Sequence, residues 1–413
     1  MQKENICYFD HCGTTPVAEP IRRAMVEFIE SSNFGNPAAV HHAAGKAASQ
    51  IVERARDQIA ESFNCAREGV HFTGGASESN NIVINGFYLR HHERGCRILV
   101  NPTEHKSVFE TACVLEGRPG VEVVTLKVLP NATVDLEFLE TELKKSGSTP
   151  TLVAIMYCNN EVPARNPVES ISALCSRFGA YFLCDAVQGV VREKIDIEKL
   201  GASALVWTPH KIYGPKGVGV LLIDQNNERM LRLVAPYRGG EQERGMRPGT
   251  LNTLGIMGAG LAARHHDERR TELVQLLRDS EQMFVDRMMK ADIGFQLTVP
   301  LSKGCPGIVN FHMENVDAPS FLQGAGQVCV NRGASCTGAG GEKLSHVPKA
   351  LGLPVEIAAN VIRASFGFAA DLATVARGTD LLIDNARRIR KAKVTPDTSR
   401  ETANHATRAR DIR

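Results

Sequence analysis

The sequence has no C-x-x-C pair, no excess of one charge over the other, and no run of about 18 apolar residues. Its 11 cysteines stand scattered at positions 7, 12, 65, 96, 113, 158, 175, 184, 305, 329 and 336. An odd, unpatterned set argues against a disulfide framework or a thiolate zinc knuckle and predicts a reducing compartment. Lys and Arg number 48 against 46 Asp and Glu, a formal net charge of +2. That balance supplies no global field for nucleic acid or for an anionic membrane. Residues 1–10 carry Lys3, Glu4 and Asp10 and no apolar run, so neither a secretory signal nor an Arg-rich leader is expected. No membrane span is expected either, and a cytoplasmic location is the simplest reading. The chain shows no internal repeat.

What is present is a large folding chain. At about 150 residues per domain, 413 residues suggest two or three units. A hydrophobic share of 43% with 23% charged residues is enough to bury a sizeable core. From residue 70 to 223, short Val/Ile/Leu runs alternate with helical patterns. Strands are expected at 70–73, 97–100, 121–127, 152–157, 181–184, 204–207 and 218–223. The helices between them fall at 78–94, 105–117, 136–145 and 168–178. This is the pattern of βαβ units around a mainly parallel sheet, whose ligands gather at the carboxyl ends of strands. Residues 258–291 read as one long helix. A smaller unit follows, with 295–311, a helix near 319–324, and 357–389. Between them 332–342 is Gly-rich with almost no apolar anchor, which predicts a mobile loop. Beyond residue 390 the composition is that of a disordered tail.

Three strings carry chemistry. Thr208-Pro209-His210-Lys211-Ile212-Tyr213-Gly214-Pro215-Lys216-Gly217 follows an apolar strand. A lysine fixed there is placed for Schiff-base chemistry, although an isolated His-Lys pair is usually a basic surface turn. Cys184-Asp185-Ala186-Val187-Gln188 also ends an apolar strand, 26 residues before Lys211. A carboxylate there needs a partner, which the protonated ring nitrogen of pyridoxal phosphate would be; a helix N-cap is the commoner explanation for a single Asp. Thr73-Gly74-Gly75-Ala76-Ser77-Glu78-Ser79-Asn80-Asn81 is a Gly-rich turn from strand to helix. It lacks both G-K-[ST] and G-x-G-x-x-G, yet its backbone N–H groups could seat a phosphate.

In combination the strings resemble the fold-type-I pyridoxal-phosphate cysteine desulfurases and selenocysteine lyases, of the class-V aminotransferase fold. The resemblance runs from Tyr8-Phe9-Asp10 and Thr14-Thr15-Pro16, through Phe34-Gly35-Asn36-Pro37, to Arg363-Ala364-Ser365. Its most specific points are Glu104-His105-Lys106, Asn159-Asn160-Glu161, His210-Lys211, Gly214-Pro215-Lys216-Gly217 and Gly245-Met246-Arg247-Pro248-Gly249-Thr250. It implies an α/β large domain, residues 1–257, with a mainly parallel sheet and helices on both faces. A smaller α+β domain, 258–392, and a tail, 393–413, would follow.

The resemblance also implies roles. Lys211 would hold the aldehyde carbon of pyridoxal 5'-phosphate, Asp185 would keep its ring nitrogen protonated, and His105 would stack on the ring and shuttle protons. Asn160 and Gln188 would contact the ring hydroxyl. Ala76, Ser77, Thr208 and His210 would hold the phosphate, joined by Thr250 of a second subunit, which implies a homodimer. Arg363, with Asn160, would bind the substrate carboxylate. Cys336, in the Gly-rich loop, would be the nucleophile that takes sulfur as a persulfide for an acceptor protein, and it stands apart from the other cysteines, expected to be buried. Cys12 and Cys158 are less certain there, because they adjoin site strings.

Departures from the family pattern are Thr208-Pro209 for Ser-Gly, Pro163 for Gly, Cys12-Gly13 for Ser-Ala or Asn-Ala, and Phe368 for an Arg. The implied reaction removes sulfur from L-cysteine to give L-alanine. L-selenocysteine is the alternative substrate, favoured by the strings 351–354 and 359–363. Another fold-type-I enzyme such as an aminotransferase, or a non-catalytic sulfur-relay scaffold, is a more distant reading. No metal is implied.

Overall fold

The computed structural model describes residues 6–31, 33–225, 230–332 and 344–394. Its strands are β1 (Cys7–Tyr8), β2 (Val70–Thr73), β3 (Cys96–Val100), β4 (Val121–Thr125), β5 (Thr151–Ala154), β6 (Tyr181–Asp185), β7 (Ala204–Trp207), β8 (Gly219–Ile223), β9 (Phe295–Leu297), β10 (Ile308–Met313), β11 (Val328–Cys329) and β12 (Ile362–Ser365). Seven of them form one sheet in the order β2-β8-β7-β6-β5-β3-β4. Strands β4, β3, β5, β6 and β7 run parallel, while β8 is antiparallel to both β7 and β2. Strands β5 and β7 are buried throughout, and β6 is buried but for Tyr181, as a parallel sheet covered on both faces requires. One apolar core, with Phe72, Phe182 and Trp207, lies on one face; a second, with Ile82, Phe87 and Ile98, lies on the other.

The expected strand–helix alternation is observed. The helices are Ala76–His91, Lys106–Leu115, Leu136–Ser146 and Val168–Phe178. Side chains set two of these starts. Asp135 Oδ1 accepts from the N–H groups of Glu137 and Phe138, and His105 Nδ1 accepts from Ser107 N–H at 3.1 Å. His105 therefore ends the loop after β3 as a helix cap, with its ring fixed at the carboxyl edge of the sheet.

The long helix begins earlier than expected, at Thr253, and runs to Lys290, about 57 Å. Asn252 caps it through Gly255 N–H. Its glycines are contact points rather than breaks. A Cβ at Gly258 would lie 2.7 Å from Pro215 Cγ, and one at Gly260 would lie 2.8 Å from Ala55 Cα. The helix thereby seats on the turn after Lys211 and on helix Ala43–Phe63.

Beyond it, 295–311 resolves into β9 and β10. The 357–389 stretch divides into part of helix Val355–Ala358, then β12 and most of helix Leu372–Val394. Strands β12-β10-β9 make an antiparallel sheet. Its core gathers Phe9, Phe284, Phe295, Phe311 and Phe366, so the amino-terminal segment packs here. The segment pairs as β1 with β11, bridges Asp10 to Ser365, and then enters the large sheet's ligand edge at Cys12 and Gly13. The Gly-rich loop from 333 to 342, with Cys336, and the tail from 395 lie outside the described residues. Among the described residues no helix is long and apolar enough to cross a membrane.

Candidate active site

A cleft of about 670 Å³ opens at the carboxyl ends of the parallel strands. Of the residues expected at the site, it brings together Ala76, Ser77, His105, Asn160, Asp185, Gln188, Thr208, His210 and Lys211. Thr250 is exposed and does not line the cleft of its own chain. Arg363 is buried behind it, with Nη1 donating to Asn160 O at 2.6 Å and Nη2 paired with Asp10 Oδ1 at 2.5 Å. Phe368, one of the departures, also stays out of the lining. Its ring packs on Tyr213 and lies under the Arg269 guanidinium, 4.2 Å from the ring centroid.

Lys211 sits in a short 3-10 turn, Pro209–Lys211, that Thr208 and Pro209 start directly after β7. Its Nζ donates to the carbonyls of Cys12 (2.5 Å) and Gly13 (2.7 Å). Burial pushes the ammonium down to about 8 from 10.5, with nearby Arg363 adding to the effect. The amine is thus about half neutral near pH 8, where an ordinary lysine is almost wholly protonated, and the neutral form is the one a nucleophilic lysine needs.

Asp185 closes β6 and is only 5% exposed. Oδ2 accepts from Asn80 Nδ2 at 2.9 Å and Oδ1 from Val187 N–H at 3.1 Å. The same Asn80 amide reaches Ser107 Oγ at 3.0 Å, and Ser107 Oγ lies 2.8 Å from His105 Nδ1. With Nδ1 accepting from Ser107, the neutral His105 ring carries its proton on Nε2. Burial lowers the His105 pKa against the pull of Asp185, so the ring is neutral.

The other end of the cleft suits an anion. Helix Ala76–His91 starts at Gly75 without a side-chain cap, leaving N–H groups and a positive dipole end at Ala76 and Ser77. Gly219 lies directly beneath: a Cβ there would stand 2.3 Å from the Gly75 carbonyl carbon. Glu78 holds the turn through Gly74 N–H and pairs with Arg247 at 2.9 Å, tying it to the 245–250 string. Thr208 Oγ donates to Val218 O at 2.8 Å, and His210, pushed down to about 4 by burial, contributes a neutral ring.

Several lining residues lie outside the expected set: Cys12, Ser107, Met156, Cys158, Glu161 and His346. Glu104, fully buried behind His105, is held well above the usual carboxylate range by burial and by Asp185. It accepts from Met156 N–H at 2.7 Å, and its main-chain oxygen lies 2.8 Å from His346 Nε2. Glu104 was visible inside the Glu-His-Lys string; nothing local to His346 marked it.

A lysine at a strand end, a buried carboxylate one strand away, an imidazole in the same cleft and an uncapped helix start fit a fold-type-I pyridoxal-phosphate enzyme. Residues 7–377 match the family Aminotransferase class-V, and the chain belongs to that family. Over 383 residues it is 34% identical to a cysteine desulfurase IscS of Vesicomyosocius okutanii subsp. Calyptogena okutanii (strain HA), with 91% of each chain covered. A solved NifS-like protein superposes with TM-score 0.83 at 27% identity, over 92% of this chain and 98% of that one. A structure described as SspA in complex with cysteine matches with TM-score 0.72 at 28% identity, over 87% and 98%.

The cofactor of the family is pyridoxal 5'-phosphate, and the donor set fits it. A lysine amine near its working pKa, a buried carboxylate with two donors of its own, and a dipole end with hydroxyls around it match an aldehyde, a pyridine nitrogen and a phosphate.

Proposed function

We propose that this chain is a cysteine desulfurase that converts L-cysteine to L-alanine and passes the sulfur through Cys336 to an acceptor protein. The observation that carries the reading is the convergence of Lys211, Asp185 and His105 in one cleft, in a chain whose relatives are cysteine desulfurases. The solved relative in complex with cysteine supports the substrate. Bound pyridoxal phosphate supplies an electron sink for the pair left when the substrate Cα–H is broken.

The residues divide the remaining work. Lys211 would hold the aldehyde carbon and, freed, take the Cα proton with its neutral amine. Asp185 would hold the ring nitrogen in its protonated form. His105 would cover the ring face and donate from Nε2, while Asn160 and Gln188 would meet the ring hydroxyl. Ala76, Ser77, Thr208 and His210 would seat the phosphate. Thr250 is exposed on its own chain, which suits a contribution to the cleft of a second copy and hence a homodimer. Arg363 would orient the substrate carboxylate, with Asn160 beside it; it is held ready by Asp10 and the Asn160 carbonyl. In domain terms, 1–257 would bind the cofactor and 258–392 would carry the Cys336 loop.

Purified holoenzyme given L-cysteine should yield L-alanine and sulfane sulfur in equal amounts. A keto acid product would replace the reading with an aminotransferase. A protein without visible absorbance after reconstitution would make it a scaffold. Parallel assay with L-selenocysteine tests the second substrate.

A further inference from the structure

Behind the cleft wall stands a cation that none of the roles above uses. Arg192 ends the short helix Gly189–Arg192, and Gln188 is that helix's N-cap residue. Both are buried; Gln188 lines the cleft and Arg192 lies behind it. Arg192 Nε donates to Pro306 O at 2.9 Å, and Nη1 donates to Gln188 O and to Gln188 Oε1, both at 3.0 Å. A guanidinium only donates and keeps its charge in a protein, so the amide end that faces it must be the oxygen. Cys12, one of the departures from the family pattern, adds a second donor, with Sγ 3.6 Å from Gln188 Oε1. The other end of the amide, Nε2, lies 3.4 Å from Cys12 O. Turning the amide over would set its N–H groups against Nη1 and its oxygen against the Cys12 carbonyl. Buried hydrogen bonds would become buried repulsions.

We infer that Arg192 is a positioning residue: it holds the Gln188 amide with its oxygen inward, so that Gln188 meets a molecule in the cleft only as an N–H donor. The inference rests on the proposed function, in which Gln188 meets the ring hydroxyl of pyridoxal phosphate. Nε2 has two hydrogens, and the contact to Cys12 O uses one of them. The other is what Gln188 can offer a ligand. A donor at the ring oxygen favours its anionic form, whereas an acceptor there favours the hydroxyl. Arg192 therefore biases the protonation of that oxygen through Gln188, without touching the cofactor. Its own anchor lies away from the cleft. Pro306 belongs to the segment before β10, where Gly307 N–H donates to Glu281 on the long helix at 2.8 Å.

The test reads the resting absorbance of reconstituted holoenzyme at one pH with no substrate added, so it stands apart from turnover. Bound pyridoxal phosphate absorbs in the visible when its ring oxygen is anionic and in the near ultraviolet when that oxygen is protonated. In Arg192→Met the ratio of visible to near-ultraviolet absorbance is expected to fall about tenfold, equivalent to one pKa unit of lost stabilisation of the anion. Arg192→Lys should restore most of the ratio, because an ammonium also only donates, although Met and Lys fill similar volumes. Gln188→Glu leaves Arg192 in place and puts an oxygen where Nε2 stood. It should lower the ratio in the same direction, and it carries the test by itself if Arg192→Met does not fold. A wild-type ratio in folded Arg192→Met, or in Gln188→Glu, would overturn the inference while leaving the cofactor reading intact. Wild type with no visible band after reconstitution would overturn the cofactor reading itself, and the inference with it.

Discussion

Asn80 joins Asp185 to His105: one side-chain amide donates to Asp185 Oδ2 at 2.9 Å and to Ser107 Oγ at 3.0 Å, and Ser107 holds His105 Nδ1. The carboxylate and the imidazole proposed to flank the cofactor ring are thereby oriented by a single group on helix Ala76–His91. Hydrogen bonds to charged groups are worth about 1.5–3 kcal/mol. Asn80→Ala should therefore keep the cofactor but lower kcat about tenfold or more. Asp185→Asn should fall further, since an amide cannot stabilise the protonated ring nitrogen by charge, and each pKa unit lost is about 1.4 kcal/mol. Alanine formation with cofactor content measured in parallel checks both. Wild-type exchange of the substrate Cα–H in Asp185→Asn would remove that residue from the mechanism.

The Lys211 amine, pushed down to about 8, sets a pH dependence. Below that pH it is protonated and unreactive; above it, neutral. Capture of added pyridoxal phosphate by the apoenzyme should accelerate between about pH 7 and pH 9 and then level off, where an unshifted amine would keep accelerating past about pH 10. The unfolded chain keeps the proton up to about 10.5, so Lys211 raises apoenzyme stability as pH climbs through that window and lowers it as pH falls toward 8. Stopped-flow absorbance follows the capture, and Lys211→Ala should show none.

Arg363 offers a planar fork already fixed by Asp10 and by the Asn160 carbonyl. Lysine has a point charge and cannot hold both partners while meeting a carboxylate. Arg363→Lys should lower kcat/KM for L-cysteine by at least about tenfold, most of it in KM. An unchanged kcat/KM would assign carboxylate binding elsewhere.

Much of the cleft was legible because its chemistry sits in short strings at strand ends. Apolar runs locate β6 and β7, and Asp185 and Lys211 follow from them directly. What stayed illegible is what only folding brings together. Arg192 belongs to none of the strings, yet it is buried and donates to Pro306 O and to the Gln188 main chain and side chain. The early start of the 253–290 helix, expected only from 258, was hidden because the Asn252 side chain that caps it through Gly255 N–H is set by folding. Glu243 is a similar case, a carboxylate in an irregular turn that proves to be buried.

Glu243 has φ 51°, in the left-handed region, and its carboxylate receives Arg56 Nη2 at 2.9 Å, Arg56 Nη1 at 3.0 Å and Phe72 N–H at 2.8 Å. It ties the turn before the 245–250 string to β2. Removing Glu243 leaves the buried Arg56 guanidinium only the half-exposed Glu53 carboxylate at 3.3 Å and the Val70 carbonyl, at a cost of up to about 3–5 kcal/mol. Glu243→Ala should therefore lower the denaturant midpoint markedly, and Arg56→Met with Glu243→Leu should recover part of the loss. Equal stability of Glu243→Ala and wild type would show that the pair contributes nothing net.

Cys336 separates the two substrates. A thiolate must accept sulfur from cysteine, because the C–S bond breaks only as the sulfur finds a new partner. Selenium is the better leaving group and its selenol is more acidic, so part of its release proceeds without a nucleophile. Cys336→Ala should still bind L-cysteine and perturb the cofactor absorbance, yet release almost no sulfur. The same variant should retain a much larger fraction of its activity on L-selenocysteine. Steady-state rates on both substrates, with the wild-type persulfide trapped by alkylation and located by mass spectrometry, decide the matter. Full desulfuration of cysteine by the variant, or a persulfide found only on another cysteine, would transfer the nucleophile's role away from Cys336.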